Sequence, residues 1–509
     1  MKITKKLYLS SFARTSFGFI QILVAFFMMP FILARLGDDW YGIWVLVGSI
    51  GGFYYLMDLG LSSAVSRYVA HHLANDENQE TNAVINTSLV IYSVIAVVVL
   101  ALAGGVALGA GLFIEDLGKL RTVQVILVIT GLRLTLEFPF NAFVGIVQAK
   151  VRYDLLTSSH LVTLLFSTAA IYAFLSRGYG IVALAWITFI ASLLSNLLFY
   201  LIARHLYREM KVSLTFFRRA KVRELFGYSI WSFLIQIADQ LRHRIDSVVI
   251  AALLSPVHVT HYFIGARLVE YFSELVYRAT NMITPIFTTY QARRDHEQMR
   301  VKLLLLNRIN VVLGVFGGGM VIVLGEDFIR LWMGEEYADA YPILVVLMSA
   351  MIVNLITNPA TNVLFAVARH RYLAGVNILE GLANLGLSLI LIPKFGILGC
   401  ALGTAIPLLV NRLIIIPPYV CRQIGLGLGR FYGDLLPTAF FTVVYVLLAA
   451  RAFAAFEAPP TYLSLALAFL ASCPMFLLGI LFVAFNREER KLLFSFLPEK
   501  RRAGSVGIE

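Results

Sequence analysis

The stretch WSFLIQIADQLRHRIDSVVIAALLSPVHVTHYFIGARLVEYFSELVYRATN, residues 231–281, decides how this chain is built. It is apolar enough for hydrocarbon, yet it carries Asp239, Arg242, Arg244 and Asp246 before a short turn at Ser255–Thr260. After the turn come Arg267, Glu270, Glu274 and Arg278. Read as two membrane helices, the second places these four charges and Asn281 at spacings i, i+3, i+7, i+11 and i+14, which is one narrow face at about 100° per residue. Arg267 to Arg278 then covers roughly 16 Å along the helix axis. On the first helix Gln236, Asp239, Gln240, His243 and Asp246 share a face, with Arg242 and Arg244 on its flanks. Each charge near a bilayer centre costs on the order of 2.5–3.5 kcal/mol. Such faces must look into a bundle interior or a water-filled cavity.

The surroundings are those of a helical membrane protein. Of 509 residues, 59% are hydrophobic and 14% charged. Apolar runs of membrane-spanning length recur from end to end, and they are continuous rather than alternating, which excludes an outer-membrane barrel. The sequence predicts fourteen spans, at 10–34, 41–69, 82–113, 123–149, 156–176, 181–203, 227–254, 261–291, 301–324, 341–368, 373–393, 397–418, 432–456 and 462–485. Met1–Lys6 is basic and the apolar run after it is long enough to span, so it reads as a retained first helix rather than a cleaved signal. With both termini in the cytoplasm, the inner connections hold about 28 Lys and Arg and the outer ones about 7, as the positive-inside rule requires. Arg204–Arg223 is the richest inner segment and Gly325–Ala340 an acidic outer loop. Cys400, Cys421 and Cys473 are scattered, which speaks against a disulfide framework or a metal site.

The chain also repeats itself with an offset of about 217–220 residues. Tyr41–Gln79 aligns with His261–Gln298, Asn141 with Asn358, and Gly180, Ala185 and Thr188 with Gly396, Ala401 and Thr404. Six helices per repeat predict two lobes related by a pseudo-twofold axis along the membrane normal, with a site between them. The expected organisation is an N-lobe over 1–205, a basic cytoplasmic connector over 206–226, a C-lobe over 227–420, two further helices over 421–485 and a cytoplasmic tail over 486–509.

Candidate site residues follow from intramembrane charge. Arg133, Arg242, Arg244, Arg267 and Arg278 are candidates for binding an anion, because a guanidinium stays charged and its fork suits phosphate or carboxylate oxygens. Several of them converging would suit a pyrophosphate. Asp58, Glu137, Asp239, Asp246, Glu270, Glu274, Asn354 and Asn358 are candidates for cavity polar groups, or for binding a proton or sodium ion that drives transport. The plainer alternative is that these groups pair internally and hold the bundle together. For Asp58 that alternative is a carboxylate accepting backbone or serine hydrogen bonds beside the flexible Gly60, and for Asn354 and Asn358 it is interhelical hydrogen bonding. Pro30, Pro139, Pro285, Pro359 and Pro407 interrupt spans, as bending helices would need. No nucleotide-binding loop, no zinc-protease or hydrolase motif and no nucleic-acid-binding feature is present, so neither a cofactor nor covalent chemistry is expected.

Arg35-Leu-Gly-Asp-Asp-Trp-Tyr-Gly-Ile-Trp44, Leu56-Met-Asp-Leu-Gly-Leu-Ser-Ser-Ala-Val-Ser-Arg-Tyr-Val-Ala70 and the glycine motif from Gly396 through Thr404 carry a family resemblance. Over its first twelve spans the chain resembles the polysaccharide transporter family, the Wzx-like O-antigen and exopolysaccharide flippases. These belong to the superfamily of multidrug–cation antiporters and the lipid II flippase. The resemblance implies lobes that rock between inward-open and outward-open states around a cationic cavity. It also implies an undecaprenyl-diphosphate-linked oligosaccharide as substrate, moved from the cytoplasmic to the outer leaflet of a bacterial inner membrane, with polymerase and chain-length proteins as partners. Fourteen spans resemble the lipid II flippase, whose last two helices are thought to hold the lipid tail. Two alternatives stand beside this expectation: a multidrug or organic-cation antiporter of the same fold, and a membrane polymerase or glycosyltransferase. The few arginines an antiporter needs and the large loop an enzyme needs both argue against them.

Overall fold

The computed structural model describes residues 2–112, 116–280, 284–455 and 460–483. Among these, the regular elements are helical. In chain order they are α1 (Lys2–Leu36), α2 (Asp38–Tyr54), α3 (Leu61–Ala74), α4 (Asn78–Leu108), α5 (Leu117–Ala149), α6 (Tyr153–Ser176) and α7 (Ile181–Leu206). Then follow α8 (Arg219–His243), α9 (Ile245–Leu253), α10 (Pro256–Thr280), α11 (Thr284–Ala292), α12 (His296–Val311) and α13 (Gly318–Trp332). The last are α14 (Ala340–Ala366), α15 (His370–Phe395), α16 (Ile397–Val410), α17 (Ile416–Ile424), α18 (Leu428–Ala454) and α19 (Tyr462–Val483). Twelve helical stretches of the described residues are long and apolar enough to cross a bilayer. The expected fourteen differ by the charged pair: α8 and α10 have 25 residues each but stand outside the twelve.

Several spans expected as single helices are broken. The span 41–69 divides into α2 and α3 around a 3-10 turn at Tyr55–Asp58, with Leu59 and Gly60 left-handed at φ 52° and 74°. A broken helix exposes backbone groups that lipid cannot satisfy. Asp58 meets that need: its Oδ2 accepts from the Ser62 amide at 3.3 Å and the Ser62 hydroxyl at 2.9 Å, and its Oδ1 accepts from Tyr92 at 2.9 Å. The span 227–254 divides into α8 and α9 at Arg244. Pro285, expected inside a span, is the second residue of α11, a position where a missing N–H costs nothing. Asn281 lies outside the described residues.

The chain forms two compact units. One comprises Met1–Arg278 and His370–Leu408. Its core packs Leu61 and Val65 of α3, Tyr92 of α4, Leu134, Phe138 and Ile146 of α5, and Leu225 of α8. Small residues set the helix spacing: a Cβ on Gly131 would collide with Ala103, and one on Gly145 would lie 2.8 Å from Val65. The α15–α16 hairpin belongs to this unit. It turns at Gly396, left-handed at φ 58°, and closes so tightly that a Cβ on Gly399 would strike the Leu391 carbonyl. A Cβ on Gly403 would strike the Ser388 side chain and lie 2.8 Å from its amide nitrogen. The two glycines thus follow the small-xxx-small rule of membrane helix packing.

The other unit comprises Ala279–Arg369 and Leu409–Glu509. Here π-helical turns at Val312–Gly317 and Asn411–Ile415 join α12 to α13 and α16 to α17. Phe316, on the first of these turns, stacks on Phe476 of α19 with ring centroids 4.1 Å apart. Pro359 inside α14 has no N–H for the carbonyl four residues back, and the Asn310 amide donates to that Leu355 carbonyl at 2.8 Å.

Gly403→Val should therefore cost about 1–3 kcal/mol or more from overpacking, read as a lower thermal unfolding midpoint of the detergent-solubilised protein. Gly386→Ala, on α15 with nothing within 4 Å of the new Cβ, should be neutral or slightly stabilising.

Candidate functional site

Asp246 lies in the first turn of α9, where a carboxylate is favoured by the helix dipole. Its side chain is buried, with the residue 8% exposed. Oδ2 accepts from the Tyr262 hydroxyl of α10 at 2.7 Å and from the Thr404 hydroxyl of α16 at 3.0 Å. Oδ1 accepts from the Asn384 amide of α15 at 3.2 Å. Ser388 donates to the Asn384 carbonyl oxygen at 3.1 Å. The Thr404 hydroxyl also lies 3.2 Å from both Asn384 Oδ1 and the Cys400 carbonyl. It has one proton to give, so three oxygens compete for it. Among the described residues no cation pairs with Asp246. The result is a buried, negatively charged shell of carboxylate, amide, hydroxyl and carbonyl oxygens with more acceptors than protons. Oxygen ligands of this kind suit a hard cation or an added proton. Among the described residues there is no cluster of three His, Cys, Asp or Glu that could hold a metal ion.

A second cluster in the same unit carries the opposite sign. Glu137 of α5 accepts from the Tyr55 hydroxyl at 2.8 Å and from Ser192 of α7 at 3.5 Å. Arg133 stands one turn earlier on α5, and Arg244, at the α8–α9 break, approaches α2 one turn before Tyr55. Arg244 packs its stem against α2: a Cβ on Gly52 would lie 3.4 Å from that stem and 3.2 Å from Gln240 Oε1. Arg133 Nε and Gln240 Oε1 are buried without hydrogen-bond partners. Neither Arg133 nor Arg244 makes an ion pair with a described carboxylate. Two guanidiniums, one carboxylate, a phenol and unspent donors form a net cationic group that could receive an anionic oxygen fork.

The remaining candidates are placed differently. Arg267 pairs with Glu270 at 2.5 Å and stacks over Phe263 at 4.4 Å. Arg278 pairs with Glu274, donates to the Arg14 carbonyl at 3.4 Å, and packs where a Cβ on Gly18 of α1 would be. These two arginines are thus neutralised within one turn of their own helix. Asn354 and Asn358 lie on α14 in the other unit, and Asn354 is buried with its amide 3.3 Å from Met351 sulfur. The side chains of Asp239, Arg242 and His243 lie outside the described ones. Tyr55 and Tyr262 are the members that the charge pattern does not single out. Ser388, Cys400 and Thr404 are revealed only by the hairpin that brings them to Asp246.

Residues 10–291 match the family described as polysaccharide biosynthesis protein. The chain is 24% identical over 422 residues to the membrane protein EpsK of Bacillus subtilis, with 80% of this chain and 81% of that one covered. It is 20% identical over 411 residues to a protein of Shigella flexneri that carries the provisional name of O-antigen transporter, with 78% and 94% covered. Among solved structures, the lipid II flippase MurJ in an inward closed conformation superposes with a TM-score of 0.74 at 14% identity, over 93% of this chain and 99% of that one. At that identity the likeness concerns the fold.

Asp246→Ala should leave the Tyr262 and Asn384 donors unsatisfied, at about 1–3 kcal/mol for each stranded group, while Thr404 keeps the Asn384 and Cys400 oxygens as acceptors. Asp246→Asn keeps the shape and should lose less. Thermal unfolding of both variants in detergent, beside the wild type, checks the order.

Proposed function

This chain belongs to the polysaccharide biosynthesis protein family, and we propose that it is a flippase for a lipid-linked oligosaccharide in a bacterial inner membrane. The substrate is an undecaprenyl-diphosphate-linked glycan. It moves from the cytoplasmic to the outer leaflet by alternating access, both chain termini being cytoplasmic. The product supplies polymerase and chain-length proteins that build O-antigen, capsule or exopolysaccharide. The observation that carries this reading is the pair Arg133 and Arg244, intramembrane cations set one turn from Glu137 and Tyr55 without a described carboxylate partner. A diphosphate offers oxygens in the geometry a guanidinium fork binds best. An organic cation would meet repulsion there, which disfavours the antiporter, and the chain is a transporter rather than an enzyme.

The Asp246 shell supplies the coupling. A proton or a sodium ion taken up among Asp246, Asn384, Thr404 and the Cys400 carbonyl would neutralise a carboxylate that links α9 and α10 to the α15–α16 hairpin. An ion gradient could thereby act on a chain that has no nucleotide-binding loop.

Hydrogen bonds to charged groups contribute about 1.5–3 kcal/mol each. Arg133→Ala and Arg244→Ala should each lower surface-polysaccharide export about 10- to 100-fold at normal membrane levels of the protein, with lysine restoring part of it. Export that persists in the double variant would remove these residues from the substrate site. Asp246→Asn in proteoliposomes should keep substrate binding while transport no longer responds to an imposed sodium or proton gradient.

A further inference from the structure

The segment joining α7 to α8, residues 207–218, is not a slack linker. It is extended at Ser213 (φ −160°) and Arg218 (φ −131°), on either side of a 3-10 turn at Leu214–Phe216, and its backbone is read by side chains of α4. Asn82 donates to the Glu209 carbonyl at 3.0 Å and accepts from the Lys211 amide at 2.8 Å. One turn later Asn86 donates to the Lys211 carbonyl at 2.7 Å and accepts from the Ser213 amide at 2.9 Å. Thr87 accepts from the Arg218 amide at 3.1 Å. Two asparagines spaced i, i+4 on a helix thus satisfy alternate residues of a strand-like strap, as a neighbouring strand would. Both asparagines are buried.

The outer side of the strap has a different chemistry. Val212, Leu214 and Phe217 are 59%, 79% and 40% exposed. Arg208, Lys211, Arg219 and Arg223 are exposed between and beside them and make no ion pair with a described residue. Arg218 and Lys221, by contrast, are consumed by Glu80 and Glu224. The strap follows directly on α7, a stretch long and apolar enough to cross a bilayer that ends at Leu206, and so would lie at the interface. Non-helical backbone is tolerated at that depth only when its polar groups are satisfied from within the protein, and Asn82, Asn86 and Thr87 provide this.

We propose that residues 207–219 form an interfacial strap that seats Val212, Leu214 and Phe217 at the acyl boundary and binds anionic phospholipid headgroups through Arg208, Lys211 and Arg219. Charge complementarity selects the occupant. Basic residues interleaved with exposed apolar ones fit an anionic leaflet, whereas an acidic protein surface would leave the apolar side chains unmatched. The side of the membrane is the cytoplasmic one on the charge count, and the strap does not depend on the transported substrate.

The test uses full-length protein in nanodiscs of phosphatidylcholine with and without phosphatidylglycerol. Leu214→Trp should add emission above that of the five native tryptophans, and acyl chains brominated near the headgroup should quench the added part. Val212→Trp serves the same purpose if the first variant does not assemble. In native mass spectra of detergent-released protein, the variant Arg208→Gln/Lys211→Gln/Arg219→Gln should retain less phosphatidylglycerol relative to phosphatidylcholine, by up to about fivefold per charge removed. Unquenched emission in both tryptophan variants, or phosphatidylglycerol retention unchanged in the triple variant, overturns the proposal. Unquenched emission together with trypsin cleavage at Arg208 and Lys211 in nanodiscs would turn the strap toward a soluble partner instead.

Discussion

A carboxylate removed from water and left without a cation must have its lone pairs occupied, and Asp246 is where this constraint shapes the structure. Burying an unpaired charge costs several kcal/mol, so the donors around it are obligatory. They come from positions 262, 384 and 404, far apart along the chain. Meeting the demand of one side chain therefore requires the α15–α16 hairpin to pack beside α9 and α10. The hairpin can reach there only because Gly399 and Gly403 let its two arms touch backbone to backbone. The glycine motif from Gly396 through Thr404 and the charged stretch around Asp246 are two halves of one requirement.

Asp58 solves the same problem in another way. Its oxygens are occupied by Tyr92 and by the first turn of α3, so it serves as the cap of a helix broken inside the bilayer. The two buried aspartates share a tyrosine and a hydroxyl as donors. They differ in that Asp58 spends one oxygen on Ser62, four residues on, and the other on Tyr92 of α4, whereas Asp246 spends its oxygens on three other helices. A local cap is a fixed feature of the fold. A node that joins separate helices can be made or broken by whatever neutralises its charge.

Much of this was legible before any coordinates. The length and composition of the apolar runs give an all-α polytopic membrane protein, and the i, i+3 and i+4 spacings already pair Arg267 with Glu270 and Glu274 with Arg278. The repeat points to Gly396, Ala401 and Thr404, and Gly60 next to Asp58 hints at the break there. What the sequence hides is long-range. Hydrophobic periodicity is local, so nothing in it joins Asp246 to Asn384 or Thr404. The left-handed Leu59 is equally hidden, because a leucine in a run of apolar residues reads as helix until a tertiary contact overrides it. The same holds for Asn82 and Asn86: on α4 they look like polar residues near a helix end, and only the folded strap shows what they bind.

Arg244 and Asp246 flank one helix break, two residues apart, and this joins the cationic and anionic clusters through the backbone. Arg244 closes α8 and packs against Gly52 of α2, while Asp246 opens α9 and accepts from Tyr262. A cation held at Asp246 removes the carboxylate charge nearest in sequence to Arg244 and so leaves the guanidinium more available to an anion. Linkage makes the effect reciprocal: an anion bound at Arg244 raises the affinity of the Asp246 shell for its cation by the same factor. On the proposed function, ion and diphosphate then favour one another's binding through a shared break in the backbone. On that proposal the break at Arg244 is more than a bend that relieves packing: it is the point at which two sites of opposite charge would exchange free energy.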